Sequence, residues 1–72
     1  MRTVEWISEG IKEECKKKKI TYYSISIKAK IPKSTIMNIV NLKINNPGIK
    51  TIEKICSGLN MSFTDFVNTY YF

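Results

Sequence analysis

Seventy-two residues carrying twelve basic and six acidic side chains, no histidine and two cysteines describe one small basic domain, residues 1–72. At that length folding buries about 60% of the unfolded chain's surface, enough for a single core. Cys15 and Cys56 are too few for a disulfide scaffold, MRTVEWISEG lacks the apolar run of a signal peptide, and no stretch nears the ~20 apolar residues of a membrane span, so a cytoplasmic protein with reduced thiols and no membrane contact is expected.

The first expected helix is capped by Thr3 and buries Val4, Ile7, Ile11 and Cys15 along one stripe. Its acids fall early and Lys16 to Lys19 late, which suits the helix dipole at both ends. Those lysines read as a solvated helix end, with a phosphate-binding patch as the alternative. Gly10 in mid-helix is worth up to ~1 kcal/mol less than alanine unless another backbone packs close there. From Cys15 to Ile52 there is no acid at all, while nine lysines occur: Lys16 to Lys19, Lys28, Lys30, Lys33, Lys43 and Lys50. Such a one-sign segment is what a polyanion-binding surface needs; a merely solvated, lysine-rich surface is the plainer alternative.

SISIKAKI alternates like a half-buried strand. As the one convincing strand of the chain it would leave its backbone groups unpaired, so a helix is expected instead. Thr21 caps it, Tyr22, Ile25 and Ala29 share its inner face, small Ser26 admits a neighbouring helix, and Ile27 is left outside. Pro32 ends that segment and starts the next helix, about residues 33–41, which buries Ile36, Ile39 and Val40. Its opposite face shows Ser34, Met37, Asn38 and Asn41, too poor in charge for an ordinary solvent face. The two helices, residues 21–41, overlap the basic segment. Asn45 to Gly48 form a loop leading to a fourth helix with stripe Ile52, Ile55, Cys56 and Leu59, closed by Gly58 and Asn60. Ser62 and Asp65 open a last short helix on Phe63, Phe66 and Val67, before the aromatic tail 68–72.

From Ile20 to Phe66, the stretches IPKSTIMNIVNLK, NNPGIKTIEKICSGLN and MSFTDFV resemble, in order and spacing, the helix-turn-helix domain of phage repressors and Cro proteins, the Xre family. The resemblance implies an all-α, compact five-helix, lambda-repressor-like fold. The chain departs from the family pattern at four positions. Lys30 and Leu42 stand where glycine is usual, Glu14 where the family prefers a core leucine, and Tyr22 where it often has a phosphate-contacting glutamine. The first two positions often need φ above zero.

The resemblance implies a sequence-specific regulator of double-stranded DNA, a repressor, with the helix from Lys33 in the major groove and the helix from Thr21 braced on the backbone. The side chains suit those tasks. Asn38 can pair with adenine, Ser34 with several base edges, Met37 can lie on a thymine methyl, and Lys33 can reach guanine or a phosphate. Asn41, Lys43, Lys28, Tyr22 and the backbone near Thr21 are expected on phosphates; for Ser34 and Asn41, helix capping is the alternative. One short helix reads few base pairs, so a homodimer is expected, with Tyr70, Tyr71 and Phe72 as its patch; folding back of that tail beside Trp6 is the alternative. A protein-interaction module on the same fold, such as an antitoxin or phage-encoded inhibitor, is the rival function, favoured by Ile27, Met37, the replaced glycines and the tail. With no histidine, few acids, no metal-ligand cluster and no phosphate-binding glycine loop, no enzyme, metal, cofactor or small-molecule ligand is expected.

Overall fold

A computed structural model describes residues 4–44 and 46–72, among which the apolar spacing resolves into five helices and no strand. They are α1 (Glu5–Lys18), α2 (Tyr22–Ala29), α3 (Lys33–Val40), α4 (Ile49–Gly58) and α5 (Phe63–Tyr70). Thr3 and Asn45, read as the α1 cap and part of the loop before α4, lie outside the described residues. The expected stripes are buried at Val4, Ile7, Ile11 and Cys15, at Ile25 and Ala29, at Ile36, Ile39 and Val40, at Ile52, Ile55, Cys56 and Leu59, and at Phe66, whereas Tyr22, Phe63 and Val67 are only half-buried. Helix α1 packs on α3 and α5, α2 on α3 and α4, and α4 on α5, so α1 braces α3, α4 braces α2, and α5 ties those two supports together. The alternating SISIKAKI segment is helical, and Ile27 remains 60% exposed on its outer side.

The first four helices end in the same way. Lys19, Lys30, Leu42 and Asn60 have φ of 56, 60, 61 and 62°. One residue later an amide reaches back five positions, from Ile20 to Cys15, Ile31 to Ser26, Lys43 to Asn38 and Met61 to Cys56, at 2.8–3.1 Å. This is the hydrogen bond of a Schellman closure, and Ile20, Ile31 and Met61 complete it by packing against the core. The left-handed turns at residues 30 and 42 are therefore kept although no glycine occupies them.

The glycines do other work. At Gly10 a Cβ would lie 2.5 Å from Phe66 Cζ and 2.9 Å from Tyr70 Cδ2, so aromatic rings of α5, rather than another backbone, require it. At Gly58 a Cβ would lie 2.9 Å from Ile25 Cγ2 and 3.3 Å from the Ile25 carbonyl oxygen. Gly58 thus admits α2, a part expected of Ser26, while Asn60 takes the left-handed turn. Ser26 is buried and donates its hydroxyl to the Tyr23 carbonyl at 2.6 Å.

Candidate nucleic-acid interface

Pro32 sets the direction of α3. It is extended (φ −62°, ψ 142°) and occupies the N-cap, so the helix proper starts at Lys33. The buried Ile36, Ile39 and Val40 fix its rotation. At its far end the Ser8 hydroxyl of α1 donates to the Val40 carbonyl at 2.7 Å, inside the core. Held this way, α3 turns Lys33 and Ser34 fully outward, with Met37 and Asn38 half-buried beside them and Asn41 exposed just past the helix end. Among the described residues, the side chains of Ser34, Asn38 and Asn41 make no hydrogen bond within the domain. Ser34 is not a cap, since Pro32 holds that position, and its hydroxyl, like the two amides, is open to a partner.

Helix α2 begins at Thr21, whose Oγ1 accepts from the Ser24 amide at 3.1 Å while the Ser24 hydroxyl donates to the Thr21 carbonyl at 2.8 Å. Tyr22 is half-buried, and burial pushes its phenol above the usual range. Tyr23 is exposed. Lys12, Lys16, Thr21, Tyr22, Tyr23 and Lys33 line one groove where the end of α1 meets the starts of α2 and α3. Lys33, expected among the base readers, is therefore brought beside Thr21 and Tyr22, expected on phosphates. Lys28 donates its ammonium to the Asn60 side chain. Lys43 is exposed without a partner among the described residues.

Helix α5 runs on through Asn68 and Thr69 to Tyr70, further than its expected short form. The Tyr70 ring lies 5.1 Å from Phe66, and its hydroxyl donates to the Glu14 carboxylate. Glu14, only 3% exposed, is also 3.5 Å from Lys17 and 3.0 Å from Lys18. Burial opposes its ionisation, but the Tyr70 and Lys18 hydrogen bonds and the two lysine charges together hold its carboxyl below the usual carboxylate range. Tyr71 meets Trp6 edge-on at 5.1 Å. Of the three tail aromatics, Tyr71 thus folds back beside Trp6, Tyr70 folds back onto Phe66 and Glu14, and Phe72, 87% exposed, is the one left open.

One positioning residue escaped the sequence reading. Ser8 sits on the buried stripe of α1, one turn after Val4, where a polar residue signals a buried hydrogen bond. Lys16 belongs to the run expected to be a solvated helix end, with a phosphate-binding patch as the alternative, and nothing in the spacing separates it from Lys17 and Lys18.

The profile of the Cro/C1-type helix-turn-helix DNA-binding domain matches residues 10–70. Among solved structures the chain is similar to the restriction-modification controller protein C.Esp1396I. The wild-type crystal structure has a TM-score of 0.85 at 25% identity, covering 94% of this chain and 86% of that one. The same protein, as a tetramer in complex with its natural 35 base-pair operator, gives a TM-score of 0.86 at 25% identity, covering 94% and 88%. A point mutant of it gives 0.86 at the same identity, covering 94% and 87%. No curated protein matches the chain in sequence. Among the described residues no helix is long and apolar enough to cross a membrane.

Proposed function

The chain belongs to the Cro/C1-type helix-turn-helix family of DNA-binding domains, and from that premise we propose that it is a cytoplasmic, non-enzymatic transcriptional repressor that reads double-stranded DNA as a homodimer. The observation that carries this reading is the outward face of α3. Ser34, Asn38 and Asn41 keep their hydrogen-bonding groups free in a segment whose charges are all positive. In the major groove Asn38 pairs with an adenine, Met37 covers a thymine methyl and Ser34 bonds to a base edge. Asn41, Lys43, Lys28, Tyr22 and the backbone near Thr21 hold the phosphates on either side.

A helix of this length spans about 12 Å and reads only a handful of base pairs, so two copies on half-sites about one helical turn apart supply the remaining discrimination. The similar controller protein occupies its operator as a tetramer, which supports assembly on DNA here as well. The partner edge is the C-terminal one. Phe72 and the exposed part of Tyr71, whose rings meet edge-on, form an apolar patch, and Tyr70, expected with them, is instead turned to Phe66 and Glu14.

Selection from a random pool of duplexes tests the reading. The expected product is an inverted repeat, bound more weakly as salt rises because counterions are released. A pool that returns no consensus, with binding indifferent to salt, would favour the protein-interaction alternative.

A further inference from the structure

The lysines around the two-helix element are not equivalent. Of the four that close α1, Lys17 and Lys18 are held by Glu14, and Lys19 forms the left-handed cap. Lys16 has no partner among the described residues and points into the groove it shares with Lys33, Thr21, Tyr22 and Tyr23. No acidic side chain lines that groove. Lys12 lines it too, but it also lines the next groove, whose lining includes the acids Glu9 and Glu13. At about 100° per residue, Lys33 sits roughly 90° around α3 from the centre of the face carrying Ser34, Met37, Asn38 and Asn41. Its side chain therefore belongs to the flank of the recognition helix.

Resting on the DNA-binding reading above, we propose that this groove seats one backbone phosphate of the duplex, clamped between Lys16 of α1 and Lys33 of α3, and that Lys33 positions the protein and does not read a base. Charge complementarity selects the occupant. A phosphodiester carries one negative charge and two non-bridging oxygens, one for each ammonium, and the start of α2, residues 21–23, lines the same groove. The clamp ties the rigid end of α1 to the recognition helix across the DNA backbone, fixing how deeply α3 enters the groove.

The test uses full-length protein, a mixed-sequence duplex and the duplex recovered by selection, with affinity followed by fluorescence anisotropy over a salt series. Lys16→Ala and Lys33→Ala should each weaken both duplexes by the same factor and flatten the salt slope by about one unit, and the double variant by about two. Lys12→Ala should change the slope less than either. All three positions are exposed, so thermal melts should match the wild type. A neutral methylphosphonate placed at successive backbone positions of the selected duplex should reveal one site at which Lys16→Ala and Lys33→Ala cost nothing further. If Lys33→Ala instead relaxes the preference at one base pair and spares the mixed duplex, Lys33 reads a base and the clamp is wrong. Inorganic phosphate should displace the duplex no better than chloride at equal ionic strength; preferential displacement would mark a free-anion site and overturn the proposal. Unchanged slopes in both variants sink the clamp alone, whereas a wild type without salt-dependent duplex binding sinks the DNA-binding reading itself.

Discussion

At the scale of single residues the molecule separates reading from holding. Asn38 is the amide within α3 itself, able both to donate to and accept from a single adenine, and among the described residues no hydrogen bond occupies it. Asn38→Ala should therefore cost about 1–3 kcal/mol on the selected duplex and little on a mixed one, read as paired anisotropy titrations. Equal losses on both would make Asn38 a backbone contact. Glu14 shows the opposite kind of residue, a carboxylate placed where the family prefers leucine. Its ionised form is bonded by Tyr70 and Lys18, so its folded pKa lies below the unfolded one. Stability from this group is thus present above the unfolded carboxylate range and lost as pH falls through the lower folded value. Tyr70→Phe should destabilise by about 1–3 kcal/mol in urea at pH 7, and the gap to wild type should close on acidification. Adding Glu14→Leu to that variant should recover most of the loss, because both partners are then apolar. Cys56 needs no such rescue. Burial, aided by the charges of Glu53 and Glu14, pushes its thiol up to about 11, in keeping with a core role.

At the scale of helices, space and backbone conformation are assigned to different residues. Lys30 and Leu42 hold left-handed backbone that disfavours any side chain, and both are exposed. Lys30→Gly and Leu42→Gly should each relieve strain of about 1 kcal/mol, partly offset by the freer unfolded chain. The expected result is a small rise in melting temperature, at about 4–8 °C per kcal/mol for a domain of this size. Gly10→Ala should do the reverse. Helix propensity favours alanine by up to ~1 kcal/mol, but the new methyl meets Phe66 at 2.5 Å, and overpacking of that kind costs about 1–3 kcal/mol. A melt at or above wild type would mean the Phe66 ring yields freely. These two series also show what was legible. A φ above zero at residues 30 and 42 followed from their place in the family pattern, whereas the reason for Gly10 lies in rings 56 and 60 residues further along the chain.

At the scale of the whole molecule, the proposed DNA face on α2 and α3 and the proposed pairing edge at Tyr71 and Phe72 share no residue, so the two can be altered by separate substitutions. Deleting residues 69–72 would also remove Tyr70 and strand Glu14 in the core, confusing loss of pairing with loss of folding. Phe72→Glu is cleaner, because Phe72 is almost wholly exposed. It should leave the helical circular dichroism signal unchanged, convert the protein to a monomer in sedimentation velocity, remove any concentration dependence of the melt, and abolish most of the gain from a second half-site. A variant that stays dimeric would move the interface away from the tail.

The amino-acid order by itself determined the five helices, their buried stripes and the outward face of α3, because each of these follows from residues three or four positions apart or from a cap beside them. Tertiary structure alone decided that Glu14 is tolerated, that Lys16 is free while Lys17 and Lys18 are engaged, that Gly58 admits Ile25, and that Tyr70 and Tyr71 turn back towards α1. Each of those depends on which atoms from distant parts of the chain come within a few ångströms. A hydrogen bond or a collision is made or missed at that range, and spacing along the chain carries no record of it.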